Sequence, residues 1–213
     1  MGGVAKSRQE SKDGVVSSSD MDIQRVLDVL QWVAVIFGVA EVLLAWKNKI
    51  WLYPAGIIST VLTIYIFATS KLYAESVLNG YYFVMSVYGW WHWHKRKNEP
   101  PLPIAWTSRQ EWGISALIVV AGFGLQYFLL KRYTDSTVPM WDAWVSATAW
   151  AGTWLLARRK IENWVLLNIS NLFAVPLLFY KHLPLYGGLT IVLFVVACLG
   201  YFDWIKRYKA ETI

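Results

Sequence analysis

The sequence predicts an all-α integral membrane protein with seven transmembrane helices in a 3+1+3 parallel-repeat arrangement. Three observations carry this. Of the 213 residues, 56% are hydrophobic and 16% charged, against about 25% charged in a soluble domain. The apolar residues gather in seven runs, several near the ~20 residues a helix needs to cross a bilayer. An internal match at an offset of 113 sets Trp51 on Trp164, Tyr73 on Tyr186, Tyr88 on Tyr201 and Trp91 on Trp204 without a gap.

Residues 1–20 are polar, rich in Ser, Lys, Asp and Gly, and read as a disordered tail without a signal-peptide pattern. The seven runs follow as Val26–Trp46, Trp51–Thr69, Tyr73–Trp93, Trp112–Lys131, Pro139–Ala157, Trp164–Tyr180 and Pro184–Trp204. The connections are short except Lys95–Glu111, whose KRKNEPPLP opening divides the chain after the third run. The organisation is therefore a first three-helix repeat over 21–94, a loop and linker helix over 95–133, and a second three-helix repeat over 134–208. An odd repeat plus one linker helix makes both halves cross in the same sense. In such folds the substrate sits near the midplane between the repeats.

Charge sets the orientation. Lys47, Lys49, Lys95–Lys97, Arg158–Lys160 and the tail from Lys206 fall on one side. The positive-inside rule then puts the N-terminus outside and the C-terminus in the cytoplasm. The net charge of +6 belongs to these short loops; no basic stripe points to nucleic acid. The 14 Trp and 12 Tyr exceed what interfacial belts require. The single cysteine, Cys198, excludes an intramolecular disulfide and reads as a small packing residue.

Two runs carry polar stripes. Trp164, Asn168 and Asn171 recur at i, i+4 and i+7 and share one helical face. Asn79, Tyr82, Ser86, Trp90 and Trp93 do the same in the third run. Carboxamides facing lipid would be unsatisfied, so these faces turn to other helices or to a cavity. Packing by interhelical hydrogen bonds is one reading. The other is a site for a small heteroaromatic ligand, with rings to stack on it. Glu41, deep in the first run, has three readings: a buried paired group, a side chain snorkelling beside Lys47, or a group that couples protons or attracts a cation. Pro54 and Pro176 are candidate kinks, Pro54 equally a first-turn proline.

Enzyme signatures are missing. His92 and His94 have no carboxylate or thiol cluster to complete a metal site. No HExxH, phosphate-cradling glycine loop or Gly-x-Ser-x-Gly elbow is present. No catalytic residue, metal or cofactor is expected.

The segments ESVLNGYYFVMSVYGWWHW (75–93) and NWVLLNISNLFAVPLLFYKHLPLYGG (163–188) resemble the PnuC family of bacterial vitamin transporters, over about residues 23–208. Many members have Trp in place of Leu167 and Asp in place of Asn171. The resemblance implies a SWEET-like fold, a homotrimer in the bacterial inner membrane, and facilitated uptake of unphosphorylated nicotinamide riboside, trapped by a cytoplasmic kinase. It supports Asn79, Tyr82 and Ser86 on the third helix, Trp164, Asn168 and Asn171 on the sixth, and Tyr201 on the seventh as ligand contacts. Thiamine, also cationic and heteroaromatic, is the alternative cargo on the same scaffold. A non-transporting membrane receptor or scaffold is the reading from a different class.

Overall fold

The structure is a computed structural model and describes residues 18–70, 72–94 and 103–212. Seven helices account for nearly all of these residues: α1 (Ser18–Trp46), α2 (Leu52–Thr69), α3 (Tyr73–His94), α4 (Arg109–Tyr133), α5 (Pro139–Ala157), α6 (Asn163–Tyr180) and α7 (Pro184–Thr212). Five of them, α1, α2, α4, α6 and α7, are long and apolar enough to cross a membrane. Apart from Ser18–Asp20, which open α1, the expected tail lies outside the described residues, as do positions 95–102 of the long loop.

The helix ends follow local chemistry. Pro139 opens α5, where a missing N–H costs nothing. Pro54 lies in the first turn of α2 and is tolerated for the same reason, whereas Pro176 lies inside α6. The fourth helix begins three residues earlier than expected because Ser108 and Glu111 form a capping box. The Ser108 hydroxyl accepts from the Glu111 amide at 3.3 Å, and the Glu111 carboxylate accepts from the Ser108 amide at 2.9 Å.

Sequential helices pack as neighbours within α1–α3 and within α4–α7. Contacts of α1 with α7 and of α3 with α5 close the circuit α1–α2–α3–α5–α6–α7, while α4 lies outside it against α5. Large side chains such as Val29, Trp32, Leu117, Val120 and Phe128 remain exposed on the outside, as lipid-facing surfaces require.

Hydrogen bonds repeat along the chain at an offset of 111, which corrects the 113 suggested by aromatic identities. The helix pairs α2 and α6 share both bounds at this offset. Lys49 and Lys160 each bond back to a leucine carbonyl, Leu44 and Leu155, and Asn48 and Arg159 take the left-handed conformation at φ 56° and 55°. Ser59 donates to the Ala34 carbonyl at 2.8 Å, and Ser170 to the Val145 carbonyl at 2.7 Å. Tyr53 meets Trp93 edge-on at 5.1 Å, and Trp164 meets Trp204 edge-on at 5.6 Å. Aromatic residues are dense enough in these spans to coincide at several offsets. The same left-handed turn also occurs at His182 (φ 57°), so it is the joint agreement of helix bounds, turns and the Ser59 and Ser170 bonds that selects 111.

The turns after α1 and α5 meet at one end of the bundle, which carries Lys47, Lys49 and Arg158–Lys160. The Arg159 guanidinium donates to Asn48 Oδ1 at 3.1 Å and lies 4.4 Å above the Trp93 ring. Burial there pulls its pKa below the usual arginine range. The indoles of Trp93 and Trp204 donate to the carbonyls of Ala157 and Ala45. Leu52, Tyr53, Ile104, Ile161 and Trp204 fill the space between with almost no exposure. Glu111 joins the same end through ion pairs to Arg158 at 3.1 Å and Lys160 at 3.0 Å. Asp142 pairs with Lys181 at the opposite end, at 2.6 Å.

Candidate functional site: a polar cavity inside the helical circuit

A cavity of about 260 Å³ lies inside the circuit. Helix α1 contributes Glu41, Val42 and Ala45; α2 contributes Ser59, Thr60 and Thr63; α3 contributes Asn79, Tyr82 and Ser86; α5 and α6 contribute Thr153, Leu156, Trp164 and Leu167. None of these residues is basic. Asn79, Tyr82 and Ser86 reach it together because spacings of three and four put them on one face of α3. The other two members of that stripe do not. Trp90 is exposed, and Trp93 turns into the packed end against Tyr53.

The Trp164 indole is 1% exposed, and no described residue hydrogen-bonds its Nε1. It forms a wall between this cavity and a second one of about 300 Å³ between α6 and α7. Asn168 and Tyr201 line that second cavity with Cys198 and apolar neighbours. Asn168 donates to Cys198 Sγ at 3.4 Å, while its buried Oδ1 has no partner among the described residues. Cys198 is thus a polar contact as well as a packing residue. Asn171 lines neither cavity and is half-buried.

Away from the basic end, the central cavity shares Ser59 and Thr63 with a wider one of about 600 Å³. That space reaches Ser70, Leu72 and Leu183 at the turns of the opposite end. Gln31 on α1 donates to the Tyr186 hydroxyl on α7 across it. The packed aromatic layer thus lies on one side of the central cavity, and on the other Ser59 and Thr63 stand between it and the wider one.

The α2 wall was not singled out from sequence, although Ser59, Thr60 and Thr63 form a legible polar stripe at i, i+1 and i+4. The Ser59 hydroxyl bonds across to the Ala34 carbonyl of α1, which is helix packing, while Thr60 and Thr63 bond back to Gly56 and Ser59 on their own helix. Glu41 is neither ion-paired nor snorkelling: it lines the cavity, and no hydrogen bond or ion pair ties its carboxylate to another described residue. Among the described residues no group of three or more His, Cys, Asp or Glu side chains is arranged to hold a metal.

A polar chamber inside a circuit of helices, most of them long and apolar enough to cross a membrane, is the architecture of a small-molecule membrane transporter. Residues 28–206 match the family model described as nicotinamide mononucleotide transporter, and the chain belongs to that family of multi-pass transporters, which are not enzymes. It is similar to the nicotinamide riboside transporter PnuC of Escherichia coli (strain K12), with 26% identity over 210 residues, covering 84% of this chain and 87% of that protein. The nicotinamide riboside transporter PnuC of Neisseria mucosa is 28% identical over 194 residues, covering 84% and 73%. The crystal structure of the vitamin B3 transporter PnuC superposes with a TM-score of 0.65 at 26% identity, covering 89% of this chain and 88% of that one.

Proposed function

We propose that the protein carries unphosphorylated nicotinamide riboside across the bacterial inner membrane by facilitated diffusion. The observation that carries this reading is the central cavity. It offers Asn79, Tyr82, Ser86 and Trp164 to a carboxamide, a ribose and an aromatic ring, and none of its lining residues is basic. A mononucleotide would bring a phosphate dianion into this space with no cation to offset its desolvation. The riboside named for the E. coli and Neisseria mucosa relatives fits that constraint better than the mononucleotide of the family description.

Within this reading, Asn79, Tyr82, Ser86 and Trp164 touch the ligand directly. Asn168 and Tyr201 act from the far side of the Trp164 wall, and Asn171 acts on the packing of α6. The 111-residue correspondence supports a 3+1+3, SWEET-like plan with α4 as the linker. The basic end is assigned to the cytoplasm by the positive-inside rule. The resemblance to the PnuC family supports a homotrimer and trapping by a cytoplasmic kinase. Isothermal titration of purified protein with nicotinamide riboside, thiamine and their phosphorylated forms tests the cargo. Binding of the riboside alone is expected; binding of thiamine alone would keep the scaffold and change the cargo. Counterflow of labelled riboside in proteoliposomes tests transport itself, and its absence would leave a receptor.

A further inference from the structure

We propose that Glu41 is the counter-charge of the binding cavity and selects for a positively charged ring. The inference rests on the riboside reading and deepens it. The carboxylate lines the chamber that holds Asn79, Tyr82 and Trp164, with no ion pair or hydrogen bond to another described residue. A carboxylate removed from water without a partner is costly, and a ligand cation entering the same space compensates it. Gly56 makes room for it: a Cβ there would lie 2.5 Å from Glu41 Oε1.

The second half of the chain shows that this charge is not a demand of packing. At the 111-residue offset Glu41 corresponds to Gly152 and Gly56 to Leu167, so the large and small residues exchange helices. A Cβ on Gly152 would lie 2.9 Å from Leu167 Cγ. The same helix contact is thus filled by hydrocarbon in one half and by a carboxylate in the other. Both Glu41 and Leu167 line the cavity, which therefore has one charged side and one apolar side. A pyridinium ring is matched by the first and its stacking faces by the second. A phosphate is repelled by the first, which adds direct repulsion to the desolvation cost.

The test is calorimetric titration of the full chain with nicotinamide riboside and with its reduced dihydropyridine form, which keeps ribose and carboxamide but carries no ring charge. Wild type is expected to bind the cationic form at least tenfold more tightly. In Glu41→Gln that preference should collapse, with affinity for the neutral form retained as evidence of folding. Glu41→Asp should keep most of the preference. Equal wild-type affinity for the two forms, or an undiminished preference in Glu41→Gln, overturns the proposal while leaving the riboside reading intact. If wild type binds neither form of the riboside but binds thiamine, the riboside reading fails alone. The charge inference then stands only if Glu41→Gln weakens thiamine at least tenfold. Binding of no cation by the wild type overturns both.

Discussion

Trp164 shows how packing and recognition share one side chain. Its indole is almost fully buried, meets Trp204 edge-on, and lies so close to Gly200 that a Cβ there would come within 2.8 Å of its ring. Trp164→Ala would open a large cavity in the layer that closes the basic end. It is expected to lower stability by about 3–5 kcal/mol, seen as a fall in the thermal midpoint in detergent. Trp164→Phe keeps an aromatic face in a smaller volume and is the milder variant for binding measurements. The tyrosine counterpart makes a paired prediction. A Cβ on Gly89 would overlap the Tyr53 ring, whereas Gly80 on the same helix has open space around it. Gly89→Ala should cost about 1–3 kcal/mol by overpacking, and Gly80→Ala should raise the midpoint slightly, since Ala is favoured over Gly by about 1 kcal/mol inside a helix. Equal effects of the two would show that Tyr53 can move aside.

Among the elements, α4 is tied in by its start as well as by α5. The Ser108–Glu111 capping box fixes its first turn, and Glu111 also holds Arg158 and Lys160. Tyr88 and the Glu111 carboxylate beside the Arg158 guanidinium raise its pKa above the usual arginine value. Ser108→Ala is expected to cost about 1 kcal/mol as a lost cap. Glu111→Gln removes the cap charge and both ion pairs, so it should destabilise more than Ser108→Ala in the same thermal melts. The reverse order would show that the ion pairs at this end contribute little. Helix α3 illustrates the limit of face reasoning. Its stripe was legible at spacings of three and four, yet only its first three members reach the cavity. The helix runs past the cavity into the aromatic layer, and a helical wheel has no coordinate along the axis.

For the whole molecule, the aromatic layer packs the basic end, while Ser59 and Thr63 border both the central and the outer cavity. A polar reagent should reach a cysteine placed at Ser59 or Thr63 from the side opposite the basic loops and be blocked from the other. Labelling in oriented vesicles reads this out directly. Bound riboside should protect both positions, since they border the central cavity.

The sequence by itself determined the class of the protein, the seven helices and most of their bounds. Apolar run length and the residues at helix ends are local properties, and a bilayer leaves a chain few alternatives to helices. It also carried Asn79, Tyr82 and Ser86, whose spacing alone puts them on one face. Only the tertiary structure gave the 111-residue spacing, because helix bounds, turns and the Ser59 and Ser170 bonds agree there together, whereas aromatic identities alone coincide at several spacings. Only it separated Asn168 and Tyr201 from the central cavity by the Trp164 wall and left Asn171 outside both. The spacing of those residues fixes a direction around α6, while the position of α7 decides what stands in that direction. Glu41 belongs to the same class of facts: its sequence allowed a pair, a snorkel or a cavity charge, and the chamber around it follows from four other helices.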